Sequence, residues 1–308
     1  MEKEKKKTIS GIYDKSKDAI IKTKDTVINT LDQNGDGQIG IDDIIIAAVK
    51  TPGVRVSRAS FLEKELFKYY PQDIVDDAIA FNPAHAGIPA KMIDKIADDV
   101  IKFERNCVSG VSAALGAPGG WAMAATIPAD IIQYYGYTLR ATQKLLYLYG
   151  FPEIETDEEG IKLDSETINS IILCLGVMNG VVGANNAVKA MAHALAIGVE
   201  KQLMKKALTK GAVFPIVRSI AKWFGVRLTK SLFTGAIKKA IPVVGGVVGG
   251  GITFFAFKPC CYRLKDALKD TRLSNPEHKC TKEETEILDD IMSGKIIDAD
   301  YEVVEDEN

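Results

Sequence analysis

The chain has 308 residues, an apolar fraction of 46%, a charged fraction of 26% and a formal net charge of −2. This composition is that of a globular protein with one large or two ordinary domains, and it excludes a disordered or collagen-like chain. The five cysteines are odd in number and include no C-x-x-C pair, so they indicate neither a disulfide framework nor a zinc site. The charged N-terminus has no apolar segment of a signal peptide behind it, and we therefore expect a reducing cytoplasm.

The segment 32–43, DQNGDGQIGIDD, is the most specific motif in the sequence because it has the twelve-residue spacing of an EF-hand loop. The predicted ligands occupy positions 1, 3, 5, 7 and 12 of that loop: Asp32, Asn34, Asp36, Gln38 (through its backbone carbonyl) and Asp43. Gly37 stands at position 6, where the loop turns sharply. A hard divalent cation takes six to eight oxygen ligands, so this spacing predicts a Ca²⁺ site.

Three features distinguish this loop from a strong calcium site. Asp43 is one methylene shorter than the usual closing glutamate, which makes Mg²⁺ a competitor. Gly40, at position 9, offers no side chain. The acidic stretch 73–82 lacks the spacing of a partner loop, although EF-hands usually pair. The alternative is an Asx-rich turn that only caps the following helix.

Residues 1–31 are predicted to begin with a lysine-rich stretch and to continue into a helix with one apolar side, which precedes the loop. A short apolar helix, 42–50, is predicted to follow the loop. The second helix offers Ile44, Ile45 and Ile46, which must be buried against the rest of the chain or a partner. Two or three amphipathic helices are predicted over 57–105, with breaks at Pro71 and around 82–87.

Three long uncharged segments, 106–129, 167–188 and 240–257, are rich in small residues and contain GxxxG spacings. This spacing lets two helix backbones approach closely, so we expect the segments to pack against one another. A polar stripe follows Pro128 on a helix that carries Asp130, Arg140 and Lys144. These three residues predict either a buried charged site or a solvated face.

The run GAPGGWAMAATIPADIIQYYGYTLRATQKLLYLYGFPEI, followed later by IPVVGGVVGGGITF, resembles the EcsC protein family. The resemblance covers residues 60–275. It implies a mostly helical domain, named for a bacterial protein encoded beside an ABC transporter, and it brings no established catalytic residues.

The stretch 201–239 contains ten Lys and Arg residues and no acid, with Trp, Phe and Leu between them. A basic amphipathic helix of this kind is typical of proteins that bind an anionic membrane surface. The alternative is a solvated basic face on helices whose apolar side is ordinary core. We expect no nucleic-acid partner, because no known nucleic-acid module is present and the pI is about 6.0.

The paired cysteines Cys260 and Cys261 are interpreted either as acylation sites or as buried, inert thiols. The segment from Glu283 to the C-terminus holds eleven acids and one lysine. Residues 276–308 are therefore predicted to form an acidic, disordered tail.

Together these patterns predict an all-α, multi-helix bundle with glycine-rich helical hairpins, preceded by an EF-hand helix-loop-helix. The predicted domains are 1–55 (EF-hand), 56–275 (EcsC-like) and 276–308 (tail). We expect a calcium-binding, non-enzymatic protein, a calcium-responsive module peripheral to a membrane, with a protein partner that the sequence does not identify. The alternative is a membrane-embedded or transport-linked accessory protein in which the EF-hand is a structural staple.

Overall fold

The structure is a computed structural model that describes residues 31–33, 35, 38–116, 122–154, 163–238 and 244–297. Over these residues it contains eleven helices and no strand, which confirms the predicted all-α class. Of the segment 1–31, predicted to contain the helix before the cation loop, only Leu31 lies within the described residues, where it is helical and fully buried.

The helices follow one another as α1 (Ile41–Val49), α2 (Arg58–Leu66), α3 (Gln72–Ala80), α4 (Ala90–Gly116), α5 (Ala122–Leu148), α6 (Ser165–Asn179), α7 (Ala184–Ala196), α8 (Lys201–Thr209), α9 (Phe214–Lys238), α10 (Val244–Lys269) and α11 (Lys282–Met292).

Three long helices, α4, α5 and α10, form the centre of the fold, and α4 packs against both of the others. The pairing of α4 with α10 is antiparallel, because Lys265 lies 2.6 Å from Asp98 and the Thr253 and Ser112 hydroxyls are 3.4 Å apart. The end of α4, the start of α5 and the start of α10 therefore meet at one end of the bundle. These are the small-residue parts of the three helices, as the GxxxG spacing predicts.

Helices α6 and α7 form a second layer that contacts α10, and α9 packs across α6. Gly176 on α6 allows this close crossing, since a Cβ atom there would lie 2.4 Å from Cδ1 of Ile220 on α9. The buried side chains of both layers and of α1 belong to one contiguous core, in which Tyr147 is fully buried.

The acidic tail differs from its prediction over its first part. Residues 282–292 form α11, which packs against α7 and α8. The side chain of Thr281 accepts a hydrogen bond from the Glu284 N–H, and the Glu284 side chain accepts one from the Thr281 N–H, as in a capping box. Leu288 and Ile291 are buried one turn apart. These apolar residues give the segment a face to bury, which the count of acids did not reveal. Residues 298–308 lie outside the described residues.

Candidate functional site

The predicted cation loop leads directly into α1, and the structure describes part of it. Asp32, Gln38 and Asp43 lie within the described residues, whereas Asn34 and Asp36 lie outside them. Asp32 Oδ1 accepts a hydrogen bond from the Gly35 N–H at 2.6 Å. Gly35 has a φ of +79°, in the left-handed region that favours glycine. The start of the loop therefore folds back onto the Asp32 carboxylate, a feature compatible with both interpretations of the motif.

Asp43 closes the loop from its far end. Its side chain is fully buried, with Oδ1 2.9 Å from the N–H of Gln33 and Oδ2 2.8 Å from the N–H of Gly40. Both bonds are donated by the backbone, so this carboxylate holds the second and ninth positions of the loop together. A carboxylate has about four acceptor positions, and these two bonds are compatible with a cation on the same group.

The donor chemistry of the loop fits a hard cation. Carboxylates come from Asp32 and Asp43, and backbone carbonyls are available along the turn; Mg²⁺ and Ca²⁺ both prefer such oxygens. No imidazole or thiolate occurs within 32–43, which disfavours a soft metal there.

Helix α1 is docked on the helical body, as its isoleucines predict. Ile44 and Ile45 are fully buried and Ile46 is half-buried. The helix packs mainly against α5, and it also contacts α6 and α9. Burial of one isoleucine stabilises a fold by roughly 1.5–3 kcal/mol, so α1 is firmly attached to the rest of the chain.

Two polar side chains of α5 bind the segment that follows α1. The Gln143 amide accepts a hydrogen bond from the Val56 N–H at 3.0 Å and donates one to the Val54 carbonyl at 2.9 Å. Arg140 donates to the Gly53 carbonyl at 3.0 Å. A cavity of about 240 Å³ lies beside this junction, lined by Val49 and Gln143 among others. The segment after α1 is thus joined to α5 by directed hydrogen bonds, beside this cavity.

Arg140 and Lys144, which the sequence placed in a polar stripe with Asp130, pair with a different acid. Glu104 on α4 is fully buried and lies 2.6 Å from Lys144 Nζ and 3.3 Å from Arg140 Nε. The sequence prediction did not include Glu104. This triad joins α4 to α5, and through Arg140 it reaches the segment after α1.

The basic stretch 201–239 is described up to Lys238, and its side chains up to Val226. Its apolar residues Leu208, Ile220 and Phe224 belong to the core, so over 201–226 the apolar side is ordinary core, as the alternative interpretation has it. The exposed cations there are Lys201, Lys210, Arg218 and Lys222. Lys205 lies 3.3 Å from Asp164 and 3.2 Å from Glu166, and it is therefore neutralised by the start of α6.

A second exposed surface lies where α4 and α10 pair. Phe254 and Phe255 are exposed there, and Arg105 lies 4.0 Å from the centre of the Phe254 ring. Phe103 of α4 is also exposed, but its ring lies on the side of α5, 5.6 Å from Lys144 Nζ. Within the ranges that the structure describes, no helix is long and apolar enough to cross a membrane.

The paired cysteines of α10 have different environments. Cys261 is fully buried, and burial raises the pKa of its thiol well above the ordinary value. Cys260 is half-buried. These positions favour inert thiols over acylation, because the modifying enzyme needs an accessible thiolate.

No family model matches the chain, and no curated protein or solved structure is significantly similar to it. The resemblance to the EcsC family therefore stays a prediction.

Proposed function

We propose that the chain is a non-enzymatic, calcium-binding protein of EcsC-like build that associates with anionic membrane surfaces in response to Ca²⁺. The observation that carries this proposal is the position of Asp43. Its buried carboxylate closes the loop onto itself through the Gln33 and Gly40 N–H groups, at the position where an EF-hand places its last ligand.

In this proposal Asp32, Asn34, Asp36 and Asp43 bind Ca²⁺ through side-chain oxygens, and Gln38 binds it through its backbone carbonyl. The short closing residue and the absence of a paired loop place the affinity in the weak sensor range, about 10⁻⁵ M or poorer. Mg²⁺ competes for the same ligands because its smaller shell suits a loop closed by one oxygen of an aspartate.

Membrane association is proposed to be electrostatic. Lys201, Lys210, Arg218 and Lys222 are exposed, while the apolar residues between them lie in the core. Each cation near an anionic surface contributes about 1 kcal/mol, and salt screens this attraction. Four such residues suffice for reversible binding at low salt without insertion of side chains into the lipid.

The coupling between the two activities is proposed to run through α1. This helix leaves the cation loop and contacts α9, which carries Arg218 and Lys222. Calcium changes the angle between the two helices of a sensor EF-hand. A shift of α1 would therefore act directly on the packing of the basic helix.

Vesicle flotation tests the proposal. Wild-type protein should float with phosphatidylserine vesicles in the presence of Ca²⁺, and less so with chelator or high salt. The Asp32→Ala/Asp36→Ala double variant should lose the calcium dependence, whereas Asp42→Asn, at a loop position that is not a predicted ligand, should keep it. Binding that is indifferent to lipid charge and salt would contradict the membrane function.

A second candidate function is a transport-linked or membrane-embedded accessory protein in which the cation loop is a structural staple. The exposed Phe103, Phe254 and Phe255 favour it, since aromatic rings beside cations are typical of a membrane interface. Carbonate extraction separates the candidates: release of the protein from membranes supports the peripheral module, and retention supports the embedded one.

A further inference from the structure

The segment between α10 and α11 brings together four side chains that can ligate a soft or borderline metal. His278, Cys280 and Glu284 each place one ligand atom within 4.8 Å of the others. His193, in the last turn of α7, has its Nδ1 3.0 Å from the Cys280 sulfur. His193 is far from the other three in sequence and reaches Cys280 because α7 packs against α11.

The local backbone explains why two of these side chains converge. Residues 278–281, between α10 and α11, have no regular secondary structure. His278 is buried and Cys280 is half-buried, whereas Lys279 between them is exposed, so the two ligand side chains share the side of the segment that faces the protein. Glu284 joins them because it lies in the first turn of α11, where its carboxylate also accepts the Thr281 N–H.

A carboxylate orients the imidazole of His278. Asp270 Oδ1 lies 3.1 Å from Nδ1 of His278, and Glu284 Oε2 lies 3.0 Å from its Nε2. With Nδ1–H donating to Asp270, a bound metal would take the place of the proton between Nε2 and Glu284 Oε2. A carboxylate–histidine pair of this kind fixes the tautomer of a metal-ligating histidine.

We propose that His278, Cys280 and Glu284 bind Zn²⁺ or a similar borderline divalent metal. Bonds of about 2.0 Å to nitrogen and oxygen and 2.3 Å to sulfur place tetrahedral ligands roughly 3.3–3.6 Å apart. The 3.0 Å between His278 Nε2 and Glu284 Oε2 needs to open by only a few tenths of an ångström, and the Cys280 ligand atom lies within 4.8 Å of the other two. His193, whose Nδ1 is 3.0 Å from the Cys280 sulfur, borders the fourth position.

The charges at the site balance when a dication is bound. The Cys280 thiolate and the Glu284 carboxylate would neutralise the metal. Lys189 pairs with Asp270 and also lies 3.8 Å from Glu284. Calcium does not compete here, because nitrogen and sulfur are poor ligands for a hard cation.

Cobalt substitution tests the site in the full-length protein. Protein stripped of metal is titrated with Co²⁺. We expect a thiolate-to-cobalt charge-transfer band together with the visible bands of a tetrahedral complex, and these bands should saturate at about one equivalent of Co²⁺. Zn²⁺ should displace the bands and excess Ca²⁺ should not. X-ray absorption of the zinc-loaded wild type should show one sulfur ligand, a result that does not depend on any variant folding.

Variants then assign the ligands. Cys280→Ser should abolish the charge-transfer band, and Cys107→Ser, a half-buried cysteine of α4, should keep it. Asp270→Asn should keep the band but weaken metal binding by about 10–100-fold, the effect of losing an outer-shell partner. Absence of a sulfur ligand in wild type, or a band that persists in Cys280→Ser, would overturn the proposal.

Discussion

The Glu104 carboxylate, on α4, is fully buried and lies 2.6 Å from the ammonium group of Lys144, on α5. Arg140, one turn earlier on α5, approaches the same carboxylate at 3.3 Å. Glu104 therefore forms ion pairs with both cations, and it is the counter-charge that the two cations share. These ion pairs link the two helices through one buried carboxylate.

Replacement of Glu104 by glutamine should lower the free energy of unfolding by about 3 kcal/mol, because the two cations lose their shared counter-charge in a buried setting. Urea denaturation monitored by circular dichroism measures this change. Glu286→Gln is the matched control, since Glu286 pairs with Lys282 at 3.8 Å on an exposed face and should cost less than about 0.5 kcal/mol. Equal effects of the two variants would show that the triad contributes nothing specific.

Replacement of Gln143 by leucine should weaken the attachment of the segment that follows α1 to α5 and lower the free energy of unfolding. The change leaves the Val56 N–H and the Val54 carbonyl without their side-chain partner, at a cost of about 1–3 kcal/mol. Amide exchange of Val56 should quicken more than exchange within α4. Gln72→Leu, on the exposed surface of α3, should change neither the free energy of unfolding nor the exchange of Val56. Unchanged exchange of Val56 in Gln143→Leu would show that Gln143 does not hold this segment.

The acid stability of the chain should depend on Asp94. Burial raises the pKa of this carboxyl, but hydrogen bonds from Tyr149 and Lys269 outweigh it and hold the pKa below the ordinary 3.8. A lowered pKa in the folded state stabilises the fold above about pH 4, and the contribution is lost as the pH falls further.

Asp94→Asn should therefore lower the urea midpoint at pH 6 and narrow its difference between pH 6 and pH 3. The exposed Asp289 provides the control substitution. A midpoint difference between the two pH values that is as large in Asp94→Asn as in wild type would exclude Asp94 as a source of the acid dependence.

The fold class and the docking of α1 could be predicted from the sequence because both follow from local patterns. Ile44 and Ile45 on a nine-residue helix leave no alternative to burial, and the uncharged GxxxG segments require close helix packing. The burial of Glu104 could have been predicted from its position in the sequence, although the prediction missed it. It lies on the stripe formed by Ile93, Ala97, Ile101 and Val108, all buried, and a lone acid on such a stripe needs a buried partner.

The cluster at His278 could not be predicted from the sequence, for a different reason. The sequence showed H-x-C-x-x-x-E without any C-x-x-C or closely spaced His pair, and the cysteine spacing was interpreted as indicating no zinc site. His193 lies 87 positions before Cys280, and only the packing of α7 on α11 brings them together. Which acid pairs with Arg140 was undetermined for the same reason, since the register of α4 against α5 is a tertiary property.

Calcium should change the protection of the basic stretch. Because α1 contacts α9, loading of the loop should alter hydrogen exchange in peptides from residues 201–239 as well as in peptides around the loop. The Asp32→Ala/Asp36→Ala variant should show no change in either region. A change confined to residues 20–50 would show that calcium stabilises the loop only locally, and it would rule out coupling between the loop and the basic stretch.

Calorimetric titration with Ca²⁺ tests the central claim most directly. Wild-type protein should bind about one Ca²⁺ with a dissociation constant of about 10⁻⁵ M or weaker, and Mg²⁺ should reduce the apparent affinity. Asp32→Ala/Asp36→Ala should give no binding heat, and Asp42→Asn should behave like wild type. Equal heats from wild type and the double variant would contradict calcium binding by the loop that Asp43 closes.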